Sequence, residues 1–456
     1  MINFDELDVL RTALEKLESG FADLPQFEST FDTGAVSEVM QQVAERMQDN
    51  YPYFHPLYAG QMLKPPHPVA RIAYALSLWI NPNNHALDGG RASSALEKEC
   101  IVELGRMFGW DSPLGHLAGG GTMANLEALW IASRLHPGKR IVASEQSHYT
   151  HKHLCEVLGI PFTAVRCTPD GHLDLSHLDE LLDHGDVGTV VATIGTTGFG
   201  SLDPLPGILE RAGRSGIRVH ADAAYGGYFT LAGALDENPR AVFDRMRDVD
   251  SIVIDPHKHG LQPYGCGCVL FRDPAEGRFY RHDSPFTYFS SDELHLGEIS
   301  LECSRPGASA VALWATHRLL PPVRGGDFAG DLDRSLRAAR EFWSRLDASS
   351  SFHPLMRPEL DIVVYAVDSP DTATASARAS KLFELAAEDN LHLALIELPA
   401  AMLRTYAPDI RATTDTVTCL RSVLMKPEHG EWLDSIMSIL ERGVSRLTES
   451  TAPASR

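Results

Sequence analysis

The chain has little of several things, and each shortage excludes something. Seven cysteines are scattered through 456 residues, at positions 100, 155, 167, 266, 268, 303 and 419. Their odd number and irregular spacing suit reduced thiols in a cytoplasm and not a disulfide framework. Cys266 and Cys268 form only a C-x-C with no second pair at zinc-site spacing, so they read as small buried residues. Positive charge is also scarce: 40 Lys and Arg stand against 61 Asp and Glu, a formal net charge of −21. A nucleic-acid partner needs a basic face, so none is expected. No run approaches the roughly 18 uninterrupted apolar residues of a membrane span. The acidic, amphipathic start MINFDELDVLRTALEKLESG lacks the basic-then-apolar order of a secretory signal, and a cytoplasmic location is expected. There is no repeat of fixed period, no long low-complexity tract and no G-x-x-x-x-G-K-[ST] phosphate loop.

What is present fits a large soluble globular chain of more than one domain, with 44% hydrophobic and 22% charged residues. Residues 1–85 read as a Pro-punctuated helical segment. It includes SEVMQQVAERMQ, with Ser37 as N-cap, and HPVARIAYALSLWI, apolar enough on most of its surface to be buried, against a partner subunit if not its own chain. From about 86 to 315, helices alternate with short apolar runs: RIVAS, GTVVATIG, IRVHAD, SIVID and GCVLF. One helix, SSALEKECIVELGRMFGW, opens with a capping-box pattern from Ser94 to Glu97. The alternation predicts an α/β fold, a mostly parallel sheet with helices on both faces. Residues 316–456 read as a smaller α+β domain built from long helices and the strands DIVVYAV, LHLALIEL and TVTCLRSVLM. In parallel sheets the ligand sits beyond the carboxyl ends of the strands, which gathers Ser144, Asp222 and Lys258 into one region.

Lys258 follows SIVID inside DPHKHG. A lysine amine is a nucleophile only when neutral, and burial or a nearby cation favours that form. Asp222 ends IRVHAD and is followed by small residues that leave room for a flat ring. A pyridine nitrogen held by such an acid stays protonated, which makes pyridoxal phosphate an electron sink. GHLAGGGTMANLEAL runs three glycines into a helix, where Gly121 and Thr122 offer backbone N–H groups to a phosphate. Gly119, Gly121 and Ala124 also satisfy the dinucleotide pattern G-x-G-x-x-A, in a weaker context. SEQSHYTHKHL supplies His148, His151 and His153; no partner at metal-site spacing accompanies them, and His148 alone is expected to face the site, stacking on a cofactor ring. Thr196 lies beside the same strand ends.

Together GGGTMANLEAL, SEQSH, TIGTTGFGSLDP, HADAAYGG and DPHKHG, in this order, resemble the group II pyridoxal-phosphate-dependent amino-acid decarboxylases, which include the aromatic-amino-acid, tyrosine and glutamate enzymes. The likeness runs from about residue 50 to 315. It implies the aspartate-aminotransferase fold (fold type I) with a seven-stranded sheet, a homodimer with active sites at the interface, and pyridoxal phosphate as cofactor. Residue by residue, it implies that Lys258 carries the cofactor, Asp222 pairs with the ring nitrogen, Ala224 lies under the ring and His148 stacks on it. Gly121 and Thr122 match the phosphate turn, and His257 the histidine before the lysine. Asp255 stands where some members have asparagine. The family's loop tyrosine, which returns a proton to the substrate carbon, falls on Tyr288. Arg305 is expected to bind the substrate carboxylate or the cofactor phosphate. The implied reaction is decarboxylation of an L-amino acid to its amine. Tyr225 points to an aromatic substrate and Arg305 to an acidic one; the expected substrate is an aromatic L-amino acid, with an acidic one as the alternative. The rivals are another reaction on the same fold (aminotransferase, lyase or aldehyde synthase) and a non-catalytic scaffold.

Overall fold

A computed structural model describes residues 3–25, 30–85, 89–281 and 300–451. The larger sheet has seven strands: β1 (Leu114–Ala118), β2 (Arg140–Ser144), β3 (Phe162–Val165), β4 (Val187–Thr193), β5 (Arg218–Asp222), β6 (Ser251–Ile254) and β7 (Gly267–Phe271). Their spatial order is β1-β7-β6-β5-β4-β2-β3. Only β7 runs against its neighbours; the other pairings are parallel. β4 and β5 are buried along their whole length.

Alternation along the strands explains why both faces are covered. Val190 and Ala192 of β4 enter one hydrophobic cluster, while Val191 between them enters another. Ile252 and Ile254 of β6 likewise part from Val253. Side chains of a strand alternate between faces, so runs that are apolar throughout need cover on both sides. Helix Gly121–Leu135 packs on β6 and β7, and helix Leu205–Ser215 on β4 and β5.

The smaller sheet is antiparallel throughout, in the order β10 (Ala394–Pro399), β11 (Thr416–Val423), β9 (Ile362–Val367), β8 (Phe352–Pro354). Helices Asp327–Asp347, Thr372–Glu388 and His429–Thr451 pack around it. Residue 315, the expected domain boundary, falls inside helix Gly307–Leu319.

Two local expectations are corrected. The helix expected to cap at Ser37 spans Thr33–Met47, and its N-cap is Asp32, whose carboxylate accepts from the Ala35 N–H. The capping box at Ser94 and Glu97 does not form. That helix starts at Arg91 after Gly90, so both residues lie inside it and are buried. Helix Pro68–Ser77 buries only Ala70, Ala73 and Ser77 within this chain, and Trp79 just beyond it is 62% exposed. No helix among the described residues is long and apolar enough to cross a membrane.

Candidate active site

The carboxyl ends of β4, β5 and β6 stand side by side, with Thr193 opposite Asp222 and Asp222 opposite Val253. Beyond them lies a cavity of about 530 Å³. β1 ends at the same edge and passes through Gly119 and Gly120 into helix Gly121–Leu135. Two glycines make this turn possible. A Cβ at Gly267 would lie 2.5 Å from the Gly120 carbonyl carbon, and one at Gly121 would lie 2.8 Å from Asp255 Oδ2. Real Cβ contacts are not that short, so β7 and the helix start approach this closely only as glycine.

The cavity is lined by Gly119 to Met123, His148, Thr150, Thr193, Asp222, Ala224, Tyr225, Asp255, His257, Lys258 and Glu302, among others. The Lys258 amine lies 3.0 Å from Asp255 Oδ2, and His257 Nε2 lies 3.5 Å from the same oxygen. Asp222 is buried. Its Oδ1 accepts from the Ala224 N–H at 3.2 Å, and its Oδ2 is 2.8 Å from His151 Nε2. Burial alone would raise the Asp222 pKa, but the His151 hydrogen bond and the charge of Lys258 hold it well below the usual carboxylate range. His148 is half-buried, and its Nδ1 meets the Thr150 hydroxyl at 2.7 Å. Burial and then Lys258 depress its pKa, against the opposing pull of Asp222. The site thus holds a lysine amine, a buried carboxylate, a neutral imidazole and a glycine-lined helix start around one cavity.

Residues 127–368 match the pyridoxal-dependent decarboxylase conserved domain, more than half of the chain. The chain belongs to the pyridoxal-dependent decarboxylase family. It is 31% identical over 255 residues to a probable L-tyrosine/L-aspartate decarboxylase of Methanoculleus marisnigri, covering 56% of this chain and 67% of that one. It is 28% identical over 333 residues to the L-aspartate decarboxylase of Thermococcus kodakarensis, covering 72% and 84%. Among solved structures, the fold matches Oryza sativa TDC with PLP and tryptamine at a TM-score of 0.79 and 16% identity, covering 98% of this chain and 99% of that one. Mouse CSAD matches at 0.78 and 20%, covering 95% and 91%. The protein is a pyridoxal-phosphate-dependent amino-acid decarboxylase of fold type I.

The decarboxylase's own residues fit that cofactor. The Thr193 hydroxyl and Asp255 Oδ1 are buried without a hydrogen-bond partner among the described residues, and both residues line the cavity. A primary amine, a strand-end carboxylate and a helix N-terminus are the donor set that an aldehyde, a pyridine nitrogen and a phosphate require.

Of the residues named from sequence, Lys258, Asp222, Ala224, His148, Gly121, Thr122 and His257 all line the cavity. His257 Nδ1 is 2.8 Å from the Cys266 carbonyl oxygen, which fixes its ring. Thr196 does not line it; it is fully buried, and its hydroxyl oxygen accepts from the Ser201 N–H. Tyr288 lies outside the described residues. Arg305 is a correction. It is buried away from the cavity, donating from Nη1 to Glu97 Oε1 at 2.7 Å and to the Leu117 carbonyl, and from Nη2 to the Asn84 carbonyl. A guanidinium already committed to a buried carboxylate is not free for a substrate.

Two residues beside the site were missed, and one buried arginine lies behind its wall. His151, passed over beside His148, touches Asp222, while His153 is exposed near Glu156. Glu302 lines the cavity and accepts from the Gly119 N–H at 2.8 Å. Arg421 on β11 does not line the cavity; it is 5% exposed, and its Nε and Nη2 have no partner among the described residues. His151 stood in the same histidine-rich stretch as His148, but it begins a helix that His148 precedes, and only the fold turns it to Asp222. Arg421 sits 163 positions after Lys258, and no local pattern joins them.

Proposed function

We propose that this decarboxylase acts on an acidic L-amino acid of the aspartate type, with Lys258 holding the cofactor and Arg421 receiving the side-chain carboxylate. One observation carries the substrate reading. Arg421 does not itself line the cavity, but it is a buried, incompletely paired guanidinium whose charge acts on Tyr225, a residue of the cavity wall. A buried cation without a full set of partners is costly unless an anion joins it. The relatives named above carry aspartate in both names, which supports the same reading. A second reading, an aromatic substrate, is supported by Tyr225 itself. Its ring edges the cavity while its hydroxyl donates to Asp361 at 2.5 Å.

When bound, pyridoxal phosphate supplies an electron-accepting ring that takes up the electrons left as CO2 departs. The protein's contribution is positional and electrostatic. Asp222 presents a fixed negative charge at the end of β5, suited to keeping a ring nitrogen protonated. The N–H groups of Gly121 and Thr122 suit a phosphate at the helix start. Ala224 leaves room for a flat ring, and His148 offers an imidazole face beside it. Neutral at pH 7, His148 can also take or give a proton. Tyr288 is proposed, on the family likeness, as the donor that returns a proton to the substrate carbon.

We further propose a homodimer in a cytoplasm, each chain divided near residue 85 and, past the expected 315, at the end of helix Gly307–Leu319. Helices Asp5–Ser19 and Thr33–Met47 bury nothing within the chain and leave Leu7, Val39 and Met40 more than half exposed, which supports a partner over them. All seven cysteines are free, which suits a reducing compartment.

The test is a product assay. The protein loaded with pyridoxal phosphate is offered L-aspartate, L-glutamate, L-tyrosine, L-tryptophan and DOPA, and products are identified by mass spectrometry. β-Alanine from aspartate is expected, and Arg421→Met should raise KM for aspartate about tenfold or more. Tyramine or tryptamine with no acidic product would establish the second reading.

A further inference from the structure

His151 sits on the first turn of helix Thr150–Leu158 and is fully buried. Its Nε2 is 2.8 Å from Asp222 Oδ2. Its other ring nitrogen, Nδ1, is buried and has no partner among the described residues. With the cofactor bound as the decarboxylase reading above places it, this pair has a role.

We propose that His151 is a positioning residue: by donating from Nε2 to Asp222, it fixes the aim and charge of the carboxylate that faces the cofactor's ring nitrogen. The argument is geometric. Each Asp222 oxygen is held by one donor, Oδ1 by the Ala224 N–H and Oδ2 by His151. That leaves the carboxylate rigid with lone pairs to spare. The orphaned Nδ1 selects the tautomer, because a second ring proton there would be buried without an acceptor. A His151–Asp222 pair with one ring proton carries a net charge of −1, so a protonated ring nitrogen meets a full counter-charge. A doubly protonated histidine would cancel it. His220, two residues earlier on β5, is turned to other partners: its Nε2 is 2.8 Å from Asn125 Oδ1 and its Nδ1 is 2.9 Å from Ser251 Oγ. Lys258, His148 and His220 are the other titratable groups that interact with Asp222 through their charge.

The test uses the full-length protein, His151→Phe and His151→Gln, each loaded with pyridoxal phosphate carrying 15N in the ring. The readouts are cofactor dissociation constant, ring-nitrogen chemical shift, kcat and KM. The phenylalanine variant lacks the donor; the glutamine amide can still supply one. In His151→Phe the cofactor should bind about tenfold to a hundredfold more weakly, as for loss of a hydrogen bond to a charged group. Its ring-nitrogen resonance should move toward the unprotonated range. Its kcat should fall at least about tenfold, with KM changed less than about threefold. His151→Gln should keep the parent's resonance and most of its affinity. A His151→Phe variant with the parent's shift and affinity would overturn the proposal. So would a His151→Gln variant that falls as far as the phenylalanine one, since bulk and not the donated hydrogen would then matter. If His151→Phe does not fold, His151→Leu takes its place with the same two outcomes. A parent protein that binds no cofactor would overturn the reading of the site itself, a different result from a parent that binds it with unaltered variants.

Discussion

Replacing Arg305 by methionine separates a structural arginine from a substrate-binding one. Arg305 and Glu97 are both nearly fully buried, with side-chain exposures of 5% and 1%. Removing one partner of a buried ion pair strands the other charge, at about 3–5 kcal/mol. Glu97 keeps two donors, the Asn84 side-chain amide at 2.6 Å and the Leu117 N–H at 2.9 Å. That softens the loss toward the lower end, while the Leu117 and Asn84 carbonyls each lose a donor. A net destabilisation of about 3 kcal/mol is expected for Arg305→Met. The double variant Glu97→Gln/Arg305→Met removes the stranded charge and should recover about 1–2 kcal/mol. Urea denaturation followed by fluorescence and by circular dichroism measures both. In the folded fraction, the ratio of KM for aspartate to KM for tyrosine should stay within about twofold of the parent's. An Arg305→Met protein as stable as the parent but unable to select acidic substrates would refute the reasoning.

His220 makes stability depend on pH. Burial is the largest cause and lowers its pKa to about 3. The folded state therefore favours neutral His220, whereas the unfolded chain protonates near 6.5. Between those values the unfolded state binds more protons, so stability rises with pH in that window. The contribution is fully present above pH 6.5 and is lost as the pH falls toward 3. Over the whole interval it is of the order of 4–5 kcal/mol. His220→Asn should flatten the fall in stability between pH 6.5 and 4; identical slopes in parent and variant would rule it out. Asn125→Ala, which removes the partner of His220 Nε2, should destabilise the protein at neutral pH by about 1–2 kcal/mol, read in the same denaturation curves.

The order of strands and helices was largely legible because apolar runs such as VGTVVAT and SIVI are buried on both faces and stand out without alternation. Strand β1, LGHLA, and strand β3, FTAV, were not: the first has no β-branched residue, and the second is only four residues long with Thr163 and Ala164 not fully buried. β1 is a strand because Gly115 lets it lie against Val269 and Leu270 of β7, a tertiary cause. The site was legible wherever a functional residue closes a strand or opens a helix, as with Asp222 and Gly121. It was not legible where a partner lies far away in sequence. Arg305 looks like a ligand-binding arginine in LECSRPG, and only Glu97, 208 positions earlier, shows otherwise. Ser94 and Glu97 match a capping box, but the helix begins earlier, at Arg91, with the Ser93 hydroxyl donating to the Asn84 side chain.

The central claim is that the cavity beyond β4, β5 and β6 works through Lys258. The most direct measurement is to load the protein with pyridoxal phosphate, reduce it with borohydride, and map the modified peptide by mass spectrometry. Alongside it, the amine product and CO2 are assayed for the parent and Lys258→Ala. The account predicts the pyridoxyl mass on Lys258 alone, and an amine product that disappears in the variant. A label on another lysine, or an amine product that survives Lys258→Ala, would contradict it.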